Sequence, residues 1–343
     1  MSPEVIRNLG WDLLSGSAHA ALLGILVLGV RLLLRRHLAP HWRLVLGSLV
    51  LARLVWPWEI STPVSLFNVT ATWLPPINAW SFPIDGWRWG LGVWAAGVAV
   101  RLTGIIVDWS RVQRWINQSQ SVDSRLIALW EQTLQSGPKF LLRVPIRQTP
   151  EVANPCVVGL LHPCLLVPLD LGSQFSVEEI RWMFLHEMAH LRRGDLWLNG
   201  VLEAVRAFHW FNPVVGWVLQ RWREDREEAC DVHALSADGV HPGPYGRVLL
   251  KCLQGSEIDG GNAVAVGWPG VMTAAPRSLV HRIESIAQFR AGRRTWVVGG
   301  CTALSIALLG LTDQEPMPPR RLWLLKSETS SRVLQADPVA PSV

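Results

Sequence analysis

The chain has 343 residues, a mean hydropathy of +0.22, only 17% charged residues, and 20 tryptophans against a single tyrosine. This composition excludes an ordinary soluble enzyme and points to a membrane. The net charge of +5 does not signal nucleic acid: there is no basic helix and no basic stripe interleaved with aromatics, and much of the excess sits in arginines beside apolar stretches, for which anionic lipid is a sufficient partner. Direct nucleic-acid binding is not expected.

Four stretches, 13–34, 42–57, 87–107 and 295–311, approach the ~20 apolar residues needed to cross ~30 Å of hydrocarbon. The second is the shortest fit; at ~1.5 Å per residue it must thin the bilayer, extend into its flanks or dip in as a hairpin. Glu4 and Asp12 precede the first stretch and Arg31, Arg35 and Arg36 close it, the reverse of a secretory signal, so an uncleaved span is expected. These arginines and Arg43 crowd the junction between the first two stretches. The positive-inside rule places that loop in the cytoplasm and Met1 outside. Loop 58–86 has no Lys or Arg, as an external loop should, and Trp42, Trp56, Trp58, Trp87, Trp89 and Trp109 sit where interfacial belts belong. By alternation, residues 1–107 form a membrane region, 108–294 a cytoplasmic domain, 295–311 a last span and 312–343 a short extracytoplasmic tail, Pro-rich and expected to be disordered. Arg53 and Arg101 fall inside spans near an end, where snorkelling is expected.

Within 108–294, residues 121–135 read as an amphipathic helix stopped by Gly137-Pro138. Short Pro-punctuated strands follow in "FLLRVPIRQTPEV" and "PCVVGLLHPCLLVP", the latter splitting into 156–160 and 164–167. Ser176 and Glu179 make a capping box that opens a helix carrying "FLHEMAHLRRGD" and stopping near Gly194. A further helix starts at Asp195. Asn212-Pro213 caps a third, "VVGWVLQRWREDREEACDVHAL". Glycine-rich 255–270 reads as a loop or flap. The block is α+β, inserted in a multi-pass α-helical membrane protein.

On a helix, residues four apart share a face, so His186 and His190 converge on one ion while Glu187 projects toward a metal-bound water. This is the pattern of HExxH zinc metallopeptidases, in which the glutamate takes the water's proton as it attacks a peptide carbonyl. A third protein ligand should return from a later helix, and "REDREEACD" supplies it. Glu227 and Asp231 share a face, Glu227 as ligand and Asp231 on the outer nitrogen of a ligand histidine, while Asp225 and Glu228 face elsewhere. His209 is either a transition-state donor or a helix-end cap, the cap being favoured. Strand 164–167 is either the edge that takes an extended substrate or core. The five cysteines, Cys156, Cys164, Cys230, Cys252 and Cys301, lack CxxC spacing and argue for neither disulfides nor a thiolate zinc site.

The stretches "NPCVVGLLHPCLLVPLDL", "EEIRWMFLHEMAHLRRGDLWLN", "AFHWFNPVVG" and "REEACD" together resemble the membrane zinc metallopeptidases of the beta-lactam-resistance sensor-transducers, relatives of the gluzincins. The resemblance implies a gluzincin-like domain with Zn2+ on His186, His190 and Glu227 and with Glu187 as base. It further implies an antirepressor at the cell membrane that cuts a transcriptional repressor, such as a winged-helix protein, from the cytoplasmic side. In the antibiotic sensors a penicillin-binding domain with a Ser-x-x-Lys nucleophile follows the last span, whereas residues 313–343 contain no such motif. A separate sensor protein, a membrane cue or no signal at all is then expected to govern activity. Two other functions fit the residues: a quality-control protease of membrane proteins, and a non-catalytic zinc-stabilised transducer. The intact Glu187 speaks against the second.

Overall fold

The computed structural model describes residues 3–34, 38–55, 65, 84–138, 141, 143–237, 239–258, 282–284, 286 and 293–311. In chain order the elements are α1 (Pro3–Leu33), α2 (Pro40–Val55), α3 (Ile84–Gln118), α4 (Ser124–Gln135), β1 (Ile146–Gln148), β2 (Cys156–Val158), β3 (Cys164–Val167), α5 (Leu171–Gln174), α6 (Val177–Arg193), α7 (Asp195–Phe208), α8 (Pro213–Leu235), α9 (Pro242–Ile258) and α10 (Arg293–Gly310). Most of loop 58–86, the glycine-rich segment beyond Ile258 and the tail 312–343 lie outside the described residues, so the expectations for them are not addressed by the fold.

Helices α1 and α3 are long and apolar enough to cross a membrane, and α10 contains the apolar stretch Gly299–Gly310. Leu23 and Val27 of α1, Leu46 and Val50 of α2, and Ala303 and Ile306 of α10 share one core. Helix α3 does not end at the expected boundary of residue 107. It continues unbroken to Gln118, and its far end buries Val112 and Trp115 against Val158, Cys164 and Leu166 of the sheet. The apolar N-terminal part of α3 and the sheet are thus joined by one continuous helix. Arg53 departs from the snorkelling expectation: it is 8% exposed, with a guanidinium nitrogen 3.4 Å from His19 Nδ1 inside the bundle.

The sheet has the order β1-β3-β2, with β1 parallel and β2 antiparallel to β3. Strand β3 is buried throughout and paired on both sides, so of the two readings of 164–167 the core reading is right and the edge reading is corrected. The edge facing α6 is β2. Helix α4 starts at Ser124 rather than 121, because Asp123 accepts from the Arg125 N–H and caps it. The α6 start has both hydrogen bonds of the Ser176/Glu179 capping box, and Gly194 ends the helix at φ 69°. Asn212 caps α8 with Pro213 in its first turn. The core behind α6 is made by Trp130, Phe184, Leu165, Val167, Ile180 and Tyr245.

Helix α8 is the joint of the molecule, packing against α6 on one side and against α1 and α2 on another. Arg31 at the end of α1 forms a two-pronged ion pair with Asp225, and Arg43 of α2 reaches Glu228 at 3.1 Å. Asp225 and Glu228 do face away from Glu227 and Asp231, and what they face is the arginine-rich junction between the first two helices.

Candidate metal centre

The α6 helix holds His186 and His190 one turn apart, and both are buried. Their Nε2 atoms are 3.3 Å apart. Glu227, arriving from α8, places Oε2 3.5 Å from His186 Nε2 and Oε1 3.6 Å from His190 Nε2. Ligand atoms about 2.0–2.1 Å from a tetrahedral ion stand about 3.3–3.4 Å from one another, so the three side chains already form one triangular face of such a site. Glu227 Oε1 is also buried with no hydrogen-bond partner among the described residues, Arg226 Nε standing 3.8 Å away, and such an orphaned acceptor suits a metal ligand. The donor set therefore fits a zinc-sized ion.

The outer nitrogens are fixed by carboxylates. His190 Nδ1 is 2.7 Å from Asp195 Oδ2, and His186 Nδ1 is 3.0 Å from Asp231 Oδ1. A neutral imidazole facing a carboxylate at Nδ1 carries its proton there and leaves the Nε2 lone pair free to ligate. Asp231 is held in turn by Tyr245, whose hydroxyl donates at 2.8 Å, and by Arg282, whose Nε and Nη2 donate to its two oxygens at 2.7 Å each. Gly194 in the left-handed conformation reverses the chain between α6 and α7, which brings Asp195 back onto His190.

The charges follow from this packing. Burial alone would raise Glu227, but the two histidines and Arg282 hold its carboxyl well below the usual range. Asp231 is likewise lowered, burial being outweighed by Arg282 and His186. Burial would lower His186, yet Asp231 and Glu227 push it up to about 9. Glu227 and Asp231 are thus held as carboxylates beside the two imidazoles. Glu187 behaves differently: burial raises its carboxyl despite the two histidines and a hydrogen bond of 2.9 Å from the Val157 N–H of β2.

Cys230 is a competing donor, since His186, His190 and Cys230 offer atoms within 4.8 Å of one another. Its sulfur, however, lies 3.3 Å from His190 Nδ1, the nitrogen that faces Asp195, and 2.6 Å from Arg193 Nη2. Ligation there would break the His190–Asp195 contact, and burial pushes the thiol well above its ordinary value. The Nε2 side, with Glu227, is the better-formed site.

Of the sequence-predicted residues, His186, His190, Glu187, Glu227 and Asp231 come together. His209 does not. It occupies the C-cap position of α7 through its backbone N–H, and Glu227 lies beyond the start of α8, about 20 Å away at ~1.5 Å per helical residue, so the donor role is corrected, and the expected capping of carbonyls by its side chain is not formed either. Its Nδ1 is buried without a hydrogen-bond partner among the described residues. Sequence reasoning missed Asp195, Tyr245 and Arg282. Asp195 had a usable signal, an acid straight after the helix-ending glycine in "HLRRGD", whereas Tyr245 and Arg282 come from distant chain with no spacing to read.

Comparison with known proteins bears on the same residues. The profile described as BlaR1 peptidase M56 matches residues 86–286, which include α6, α7, α8 and α9. The Regulatory protein BlaR1 of Bacillus licheniformis is 29% identical over 130 residues, 38% of this chain and 21% of that protein. The Methicillin resistance mecR1 protein of Staphylococcus aureus is 25% identical over 228 residues, 65% of this chain and 38% of that protein. The chain thus spans well under half the length of these relatives. With the match covering more than half of its residues and the whole candidate centre, the chain belongs to the BlaR1 peptidase family, M56, a family of membrane metallopeptidases.

Proposed function

We propose that the chain is a multi-pass zinc endopeptidase of the cell membrane, gluzincin-like in its catalytic unit, that cleaves a transcriptional repressor from the cytoplasmic side. The observation that carries this reading is the triangle of His186 Nε2, His190 Nε2 and Glu227 carboxylate at 3.3–3.6 Å, with Glu187 beside it against an edge strand. When bound there, zinc supplies an acidified water and polarises a carbonyl.

The chain's own residues do the rest. Asp195 and Asp231 hold the two imidazoles in the ligating tautomer. Glu187 accepts the water's proton and returns it to the leaving amine; its raised affinity for protons suits a group that must take one near neutral pH. Strand β2 pairs with β3 on one side only, and its Val157 N–H points at Glu187, so an extended peptide added along that edge lies across the base. Tyr245 is committed to Asp231 and His186 and serves to position them.

The names of the relatives, a regulatory protein and a methicillin-resistance protein, favour a regulatory substrate over general proteolysis. Cytoplasmic placement rests on the arginine-rich junction that holds Arg31 and Arg43, which meets α8 one turn from the candidate ligand. The test is to express the Glu187→Gln variant beside a winged-helix repressor encoded next to the gene and follow repressor length and target transcription. Wild type shortens the repressor and raises transcription, and the variant does neither. Normal transcriptional response with an uncut repressor would replace the protease by a passive transducer.

A further inference from the structure

The α7–α8 hairpin, which the topology drawn from charge assigns to the cytoplasm, is packed against the membrane helices along most of its length. At its tip, Asn212 donates to Ser17 O at 3.0 Å and to Ser17 Oγ at 2.8 Å. Trp94 Nε1 donates to Phe208 O at 2.8 Å, and Trp210 Nε1 to Trp94 O at 3.2 Å. Glycines make the approach possible: a Cβ on Gly24 would stand 3.0 Å from Val214 and 3.1 Å from Val218, and one on Gly97 would overlap the Trp210 ring. At the other end Asp225 meets Arg31.

These contacts give a depth. Trp11, in the third turn of α1, and Trp87, in the first turn of α3, pack with ring centroids 4.9 Å apart and make an aromatic pair of the kind found at a membrane interface. At ~1.5 Å per residue, Trp11 to Arg31 is about 30 Å, one hydrocarbon thickness. On the same scale Ser17 and Trp94 both lie about 10 Å from the tryptophan pair, and so about 20 Å from the level of Arg31. Two independent helices thus put residues 208–213 at the same depth, well inside the apolar layer.

The outward surface agrees. Trp197, Val201, Phe208, Trp210 and Trp217 are 57%, 48%, 45%, 36% and 61% exposed, and on α3, which packs against α7, Val100 is 72% exposed. Near the tip Glu203 is neutralised by Arg223, and Arg206, whose side chain is 37% exposed, stands 3.9 Å from the same carboxylate, so the charges at that depth are paired.

From this we infer that α7 and α8 form a re-entrant hairpin, entering from the side of Arg31 and turning within the bilayer, with lipid acyl chains as the partner of its aromatic face. A helical hairpin meets the requirement that backbone groups be satisfied internally, and the exposed carbonyl of Phe208 at its turn is taken by Trp94. Because α8 also carries Glu227, the metal centre then sits within about one helical turn of the inner membrane surface. The inference rests on the membrane reading above and goes beyond it.

The test is photo-crosslinking of the full chain in its native membrane, with p-benzoylphenylalanine placed singly at Trp197, Phe208, Trp217, Val100 or Ile127 and adducts read by mass spectrometry. Phospholipid adducts are expected at Phe208, Trp217 and Val100 and none at Ile127, a partly exposed residue of α4. Within the lipid, Phe208 should label acyl carbons farther from the glycerol than Trp197 does. Lipid at Val100 but not at Phe208 or Trp217 would overturn the hairpin and leave the membrane reading standing. Adducts from Phe208 and Trp217 to a second copy or another protein would make the face a protein interface and also overturn it. No lipid at any position would remove the membrane reading and the hairpin with it.

Discussion

Asp195 is where the structure adds most to the site, and replacing it by Asn is a near-isosteric perturbation. Its carboxylate is 3% exposed, 2.7 Å from His190 Nδ1 and 3.2 Å from Arg193 Nη2. His190 keeps this carboxyl ionised against the opposing effect of burial, helped by Arg193 and Arg226. The Asn variant loses a charge-assisted hydrogen bond in a buried setting, about 1.5–3 kcal/mol. It can also turn its NH2 toward Nδ1, which would move the imidazole proton to Nε2 and block ligation. At about 1.4 kcal/mol per decade, zinc affinity should fall ~10–100-fold, the range expected when a partner of a metal-bound histidine is removed. The assay is competition for zinc against a chromophoric chelator in detergent, with circular dichroism to verify the fold. A dissociation constant within twofold of wild type in a folded variant would show that Asp195 does not orient a ligand and would refute the reasoning.

Other expectations follow from the same contacts. Cys230→Ala should keep one zinc per chain, since the sulfur lies on the Nδ1 side of His190; metal analysis showing loss would move the site. Arg31→Gln leaves Asp225 buried without its two-pronged partner, a change costing about 3–5 kcal/mol for a fully broken buried pair. The observed loss should fall toward the low end because Arg43 stands 4.0 Å away, and adding Asp225→Asn should restore much of the melting temperature. Reporters fused near residues 70 and 150 should read external and cytoplasmic respectively, and the opposite pair would place the catalytic unit outside.

The parts of the fold that were legible are those written in local chemistry. Ser176 with Glu179, Gly194, and Asn212-Pro213 marked helix ends that the structure reproduces. Spacing paired His186 with His190 and Glu227 with Asp231, because residues four apart on a helix share a face whatever surrounds them, and the need of a zinc site for a third protein ligand joined the two pairs. What depended on tertiary packing was not readable. Strand order is decided by which side of β3 each neighbour covers, and an apolar run such as "CLLV" reads the same as centre or edge. The partners of Asp231 come from Tyr245 and Arg282, far along the chain, and no periodicity links them. Arg53 was misjudged because a charge near a span end looks the same whether it snorkels or finds a neighbour such as His19. The packing of the α7–α8 hairpin against α1 and α3, through Asn212 on Ser17 and Trp94 on Phe208, was hidden because its paired charges make it read as an ordinary amphipathic helix pair.

The account turns on which atoms hold the metal, and X-ray absorption at the zinc edge on the loaded wild-type chain measures that directly. A shell of nitrogen and oxygen at about 2.0–2.2 Å with two imidazoles and no sulfur is the result predicted for His186, His190 and Glu227. A sulfur scatterer at about 2.3 Å would place Cys230 in the coordination sphere and contradict the assignment.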